Sequence, residues 1–177
     1  IPTPQMFNSI DTLVIDIQDV GTRVYTFIYT ISHCLEMAAR LGKAVVILDR
    51  PNPIGGCQVE GNILEESCAS FVGRFPIPMR HGLTVGEISR FFNETHGINC
   101  DLTVIPMEGW KRSMYWPDTN LAWIPPSPNL PTPLSCMVYP GQVIYEGTNI
   151  SEARGTTLPF EQFGAPFMDA PAIEEKI

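Results

Sequence analysis

A chain of 177 residues with 44% hydrophobic and 17% charged side chains can bury one full core, or one and part of a second. A formal net charge of −8 argues against a nucleic-acid binder, which presents a basic face to phosphate. No apolar run reaches the roughly 18 residues of a membrane-spanning helix, no signal peptide is visible at Ile1, and the five cysteines show neither a CxxC nor a zinc spacing.

In chain order, "DTLVIDI" (11–17) is β-branched and apolar, the pattern of a buried strand. Residues 22–43 follow with Val24, Phe27, Ile28, Ile31, Leu35 and Ala38 at helical spacing and Gly42 as a stop. "KAVVILD" (43–49) is a second buried strand, so the three segments predict a right-handed, parallel strand–helix–strand unit. Cys34 falls within the helix as a packing residue, and all five cysteines are expected to be structural. "RPNPIGG" (50–56) then opens an irregular excursion that lasts to about Arg80. Thr84 and Glu87 form a capping box at the head of a helix over 84–97, with Val85, Ile88, Phe91 and Phe92 on its buried stripe. "DLTVIPM" (101–107) is a third strand. The alternation predicts an α/β fold, a Rossmann-like doubly wound parallel sheet. Beyond Met107, tryptophans and prolines replace the alternation, so residues 1–125 read as part of the Rossmann-like unit. Residues 126–177 read as the beginning of a smaller α+β unit, with "PAIEEKI" a helix start.

Open parallel sheets bind ligands beyond the carboxyl ends of their strands. Each predicted strand here runs into polar residues: Asp16, Gln18, Asp19 and Arg23 after the first, Asp49, Arg50 and Asn52 after the second, and Glu108 and Trp110 after the third. The blander alternative makes Asp19 or Thr22 a helix cap and Asp49–Arg50 a local ion pair. Phosphate-cradling GxGxxG and GxxxxGK[ST] motifs are missing, as are a GxSxG elbow and an HExxH pair. His33 and His96 sit in helical sequence; His81, in "MRHGLTVGE", precedes a capped helix and is the histidine with a candidate site role. Carboxylates, amides, arginines and aromatics remain, with no metal or cofactor implied. That inventory suits sugars, whose hydroxyls need amide and carboxylate partners and whose ring faces pack on aromatics. The segment "EGTNISEARGTT" (146–157) lacks any periodicity, yet concentrates such groups.

The stretches "DIQDVGTRVYTF", "LDRPNPIGG", "HGLTVGE", "PPSPNLPT" and "YEGTNISEARGTTLPFEQFGAP" occur in order from about residue 11 to 167. Together they resemble the NamZ/YbbC-like family of bacterial exo-β-N-acetylmuramidases. Departures are Thr22, Val24, Leu83, Val85 and Ala153, the last standing where glycine is expected. The resemblance implies release of N-acetylmuramic acid from the non-reducing end of peptidoglycan-derived saccharides, in the periplasm or outside the cell. It implies a Rossmann-like and a smaller subdomain with the site in the cleft between them. It also implies a Glu-His-Gly motif upstream of Ile1 with a catalytic carboxylate, and further chain beyond Ile177. Within this chain, Asp16, Asp19 and Glu146 are then the candidate catalytic carboxylates, and Gln18, Arg23, Asn52, His81, Asn149 and Arg154 the candidate substrate-binding residues. Arg154 would grip the lactyl carboxylate that distinguishes muramic acid from glucosamine, as a planar fork suits a carboxylate. A non-catalytic sugar-binding module of the same fold is the first alternative, and a cofactor-using Rossmann enzyme without a phosphate motif the second.

Overall fold

The structure, a computed structural model, describes residues 1–176. In chain order the elements are α1 (Pro4–Phe7), β1 (Thr12–Ile15), α2 (Phe27–Leu41), β2 (Ala44–Leu48), β3 (Glu60–Ile63) and β4 (Pro78–Arg80). They continue with α3 (Val85–Thr95), β5 (Asp101–Ile105), α4 (Pro133–Gln142) and α5 (Ala170–Glu174). Strands β1, β2 and β5 form one parallel sheet in that order, with Val14 opposite Val46 and Val46 opposite Thr103. The α/β class and the parallel sheet match the sequence reading. Both crossovers advance in one direction, so α2 and α3 pack on the same face and on each other. There Leu13, Ile15, Val45, Ile47, Leu102 and Val104 meet Phe7, Ile31, Leu35, Ala38 and Val85. The alternate residues point the other way, and Val14 and Ile105 on that face stay 56% and 47% exposed.

Three local differences from the sequence expectation have physical causes. Helix α2 begins at Phe27 rather than Thr22, because the residues before it dock on β4. Thr22 bridges Arg80, and the Arg23 N–H donates to the Met79 carbonyl at 2.7 Å. The excursion after residue 56 contains the antiparallel pair β3–β4. Its two strands are held by one buried guanidinium, since Arg23 Nη1 donates to the carbonyls of Asn62 (2.6 Å) and Ile77 (2.8 Å). The apolar segment "MVYPGQVIY" (137–145), to which the sequence reading assigns no element, is helical: it lies in α4 and the 3-10 turn Val143–Gly147, despite Pro140 within the helix. Thr132 starts α4, its hydroxyl accepting from the Ser135 N–H, and Pro133 takes the first turn, where its missing donor costs nothing.

The helix ends that the sequence marked behave as read. Gly42 closes α2 in the left-handed region at φ 62°, and Thr84 and Glu87 form their capping box at α3. A second core joins the two halves of the sequence. Val20, Tyr25 and Ile54, from the loops beyond β1 and β2, pack with Leu130, Cys136, Tyr139, Val143 and Phe160. Leu130, α4 and Phe160 therefore pack against the loops at the carboxyl rim of the sheet. All five cysteines are free. Cys100 and Cys136 are buried and Cys34 half-buried, but Cys57 and Cys68 are exposed, which corrects the expectation that all five pack. No helix among the described residues is long and apolar enough to cross a membrane.

Candidate functional site

Parallel pairing brings the carboxyl ends of β1 and β2 together, and two side chains tie them. Arg50 Nε donates to Asp16 Oδ1 at 2.5 Å, and Gln18 Nε2 donates to the carbonyls of Asp19 (2.7 Å) and Pro51 (2.8 Å). The Arg50 hydrogen bond holds the Asp16 carboxyl below its ordinary value, against a smaller opposing push from burial. Asp49 does not pair with the Arg50 side chain. It serves the head of α3 instead: Gly86 N–H donates to Oδ1 (2.7 Å) and the Thr84 hydroxyl to Oδ2 (2.9 Å). A Cβ on Gly86 would lie 2.5 Å from Val104 and 2.9 Å from the Asp49 carboxyl carbon, so the helix reaches the strand end only with glycine there. Arg50 walls two cavities along this rim. One, of about 250 Å³, also takes Asp16, Gln18, Phe27, Trp116 and Pro125; the other, of about 460 Å³, takes Glu108, Trp110, Asp118 and Asn120.

Under the rim, four predicted site residues are buried. Asp19 Oδ2 accepts from the Gly21 N–H at 2.8 Å and lies 3.3 Å from His81 Nε2, a contact out of hydrogen-bond alignment. His81 Nδ1 accepts from the Leu83 N–H at 3.2 Å, which leaves the ring proton on Nε2, facing Asp19. Asn52 is committed on both ends, to the Leu83 carbonyl (3.0 Å) and the Ile54 N–H (3.1 Å). Gly21, at φ +78°, lets these loops touch; a Cβ there would fall 2.4 Å from Asn52 Oδ1. Arg23 braces β3–β4, as above. Buried polar atoms lacking a protein partner concentrate here. Of ten such atoms among the described residues, six are Gln18 Oε1, Asp19 Oδ1, Thr22 Oγ1, Arg23 Nε, Tyr25 OH and His81 Nε2. Buried polar groups are nearly always paired, so this density marks the loop after β1 as more than packing.

The segment 146–157 forms the wall of a third cavity, about 380 Å³, with Tyr25, Asn129, Tyr139, Glu146, Arg154 and Phe160 around it. Arg154 Nη2 pairs with Glu146, Nε lies 3.3 Å from Glu152 Oε1, and the guanidinium rides 5.4 Å over the Phe160 ring. Asn129 Oδ1 accepts from the Gly155 N–H at 3.3 Å. Burial pushes the phenols of Tyr25 and Tyr139 up, so both keep their protons as donors. Asn149 is exposed and outside the walls of these three cavities. Tyr25, Thr26 and Ser127 wall the 380 Å³ cavity and their chain neighbours Phe27, Pro125 and Pro126 the 250 Å³ one, so the two lie on either side of the Tyr25–Phe27 ring pair, whose centroids are 4.6 Å apart.

The structure thus brings Asp16 and Gln18 together at the rim, Asp19 and His81 beneath it, and Glu146 and Arg154 at the neighbouring cavity. Sequence reasoning missed Tyr25, Asn129, Tyr139 and Phe160. Asn129 lies in the quoted "PPSPNLPT" and Tyr25 in "RVYTF", so position in a motif was the available signal; Tyr139 looked like part of an apolar run.

Residues 1–134 match the family described as "Exo-beta-N-acetylmuramidase NamZ, N-terminal", and residues 137–177 match its C-terminal counterpart. The chain is 53% identical over 176 residues to the peptidoglycan beta-N-acetylmuramidase NamZ of Bacillus subtilis (strain 168), covering 99% of this chain and 42% of that protein. Crystal structures of two DUF1343 family proteins from Bacteroides fragilis NCTC 9343 superpose closely. One has a TM-score of 0.92 at 43% identity over 99% of this chain and 46% of its own. The other has 0.87 at 39% over 96% and 48%. The chain spans less than half the length of these relatives. With both halves of the family pattern matched in order along one chain, this protein belongs to the NamZ exo-β-N-acetylmuramidase family.

Proposed function

We propose that this chain is part of a peptidoglycan glycoside hydrolase that releases N-acetylmuramic acid from non-reducing ends, and that it supplies the binding side of the cleft. One observation carries the reading. The 380 Å³ cavity combines an arginine with aromatic faces (Tyr139, Phe160), an amide (Asn129) and a buried, unpartnered phenol (Tyr25), which together suit a carboxylated, acetamido-bearing sugar. In this reading Arg154 takes the lactyl carboxylate. Its rival Arg23 is occupied by two backbone carbonyls.

Glycoside hydrolysis needs one carboxyl group that holds a proton for the departing oxygen. Asp16 is kept ionised by Arg50 and suits electrostatic support or a base rather than an acid. Glu146 holds a guanidinium, and Asp19 lies beneath the surface against Gly21 and His81. The proton donor is therefore assigned to the part of the longer relatives that this chain does not span. The same observation gives the second reading some weight, a non-catalytic sugar-binding module.

The test uses the full-length protein with chromogenic β-N-acetylmuramide and β-N-acetylglucosaminide. Turnover of the muramide separates enzyme from module. Arg154→Lys keeps the charge and loses the fork. It should lower kcat/KM for the muramide about ten- to a hundredfold, with much less effect on the glucosaminide. Equal, small losses on both would make Arg154 a structural residue and end this reading.

A further inference from the structure

Arg154 is not free in this structure. Its two carboxylate partners differ in kind. Glu152 sits two residues away on the same segment, its side chain only 11% exposed, and contacts Nε. Glu146 comes from a separate element, the 3-10 turn Val143–Gly147. Its side chain is 40% exposed, and its carboxylate has no hydrogen bond other than the one to Arg154 among the described residues. Glu146 touches one terminal nitrogen, Nη2, and Nη1 has no partner among the described residues. One half of the fork is thus supported from behind by Glu152, and the other half faces the cavity with a single, exchangeable carboxylate on it. Tyr25, 8% exposed and with its hydroxyl unpartnered, lines the same cavity.

We propose that Glu146 is a resident carboxylate that holds the ligand's place on Arg154 and is displaced when an anionic sugar binds. This rests on the reading that Arg154 grips the lactyl carboxylate. A ligand carboxylate set across Nη1 and Nη2 makes two charge-assisted hydrogen bonds where Glu146 makes one, so the exchange favours a correctly placed carboxylate. A small anion without the sugar lacks the remaining contacts and must still compete with Glu146. Glu146 therefore acts as a specificity-determining residue: it screens the guanidinium from free carboxylates and releases it to a carboxylate carried on the right ring. Glu152 is the fixed support that keeps the fork in place.

The two glutamates then have opposite effects, which a bracing role shared by both would not produce. Binding to the full-length protein is measured by calorimetry with N-acetylmuramic acid, N-acetylglucosamine and D-lactate, and each variant is checked by thermal melting. Glu146→Gln should bind N-acetylmuramic acid about two- to fivefold tighter, the range of an exposed ion pair, and leave N-acetylglucosamine unchanged. It should also let D-lactate compete at lower concentration. Glu152→Gln should weaken N-acetylmuramic acid binding. Unchanged or weaker N-acetylmuramic acid binding by Glu146→Gln would overturn the proposal, and equal weakening of both sugars would make Glu146 a hydroxyl ligand or a brace. Arg154→Lys separates the two levels. If it removes the preference for N-acetylmuramic acid while Glu146→Gln does not tighten binding, Arg154 is the reader and the displacement idea is wrong. If it leaves the preference intact, both fall.

Discussion

His81 Nε2 stands 3.3 Å from Asp19 Oδ2, with 1% and 5% of the two side chains exposed. The same carboxylate holds the Gly21 N–H, and the far side of the imidazole holds the Leu83 N–H. The pair therefore joins the loop after β1 to the loop before α3, directly beneath the rim where Asp16 and Gln18 sit. Asp19→Ala would leave the Gly21 amide buried without an acceptor and remove the carboxylate that the imidazole Nε2 faces at 3.3 Å without an aligned hydrogen bond. Loss of one partner of such a buried set costs about 2–4 kcal/mol, and Asp19→Asn, which keeps one oxygen, should cost less. Urea unfolding of the full-length variants checks this order. A stable Asp19→Ala protein with abolished turnover would instead make Asp19 a reacting group.

The Asp16–Arg50 pair gives a pH-dependent increment of known sign. The folded-state pKa of Asp16 is depressed below the ordinary 3.8, chiefly by the Arg50 hydrogen bond. The unfolded chain therefore binds the proton more readily. The stabilisation is present above about pH 4 and is lost as pH falls through the lowered folded value. With side-chain exposures of 44% and 40%, solvent limits it to about 0.2–1 kcal/mol. Wild type should exceed Asp16→Asn in stability by that amount near pH 6, and the gap should close as pH falls below the lowered folded-state value. A gap that persists unchanged to low pH would show that the asparagine disturbs packing rather than the ion pair.

The sheet was legible because its determinants are local. Val45 and Ile47, or Ile31 and Leu35, carry their burial in period and spacing, and Thr84 with Glu87 announces α3 within four residues. The shared rim followed from the parallel topology alone. What escaped depends on distant partners. Nothing in "TRVYT" says that Arg23 reaches the carbonyls of Asn62 and Ile77. Asn52 and His81 resemble ligand-binding side chains in sequence, and only the fold shows them bonded to backbone across 31 and 2 residues. Tyr139 and Phe160 could not be placed beside Tyr25 without the second core, which links residues more than 100 apart. Arg154 and Glu146 did emerge together, because both lie in one short segment whose lack of periodicity was itself the signal.

Ala153 ties that segment's sequence to its conformation. It stands where the family resemblance leads one to expect glycine, and its φ is +62°, in the left-handed region. A side chain there costs about 1–2 kcal/mol, partly offset in a glycine variant by greater unfolded-state entropy and the loss of a buried methyl. Ala153→Gly should therefore be neutral to stabilising, by up to about 1 kcal/mol, with the Glu152 and Arg154 side chains kept in place. Thermal melting alongside N-acetylmuramic acid binding checks it. A clear loss of stability would mean that the methyl packs better than the backbone is strained.

Tyr25 offers a test in which stability and binding move apart. Its ring is buried in the second core, 4.6 Å from the Phe27 ring and edge-on to Tyr139 at 6.4 Å, while its hydroxyl has no partner in the protein. Burial pushes the phenol up, so it stays a donor through the neutral range. A buried hydroxyl without a partner costs the folded state about 1–3 kcal/mol, and Tyr25→Phe keeps the ring. The variant should melt at the same temperature as wild type or higher. If the hydroxyl meets the sugar in the 380 Å³ cavity, the same variant should bind N-acetylmuramic acid about two- to tenfold more weakly, the loss of one neutral hydrogen bond. Higher stability with unchanged binding would remove Tyr25 from the site. Lower stability would mean that the hydroxyl is satisfied in the folded protein.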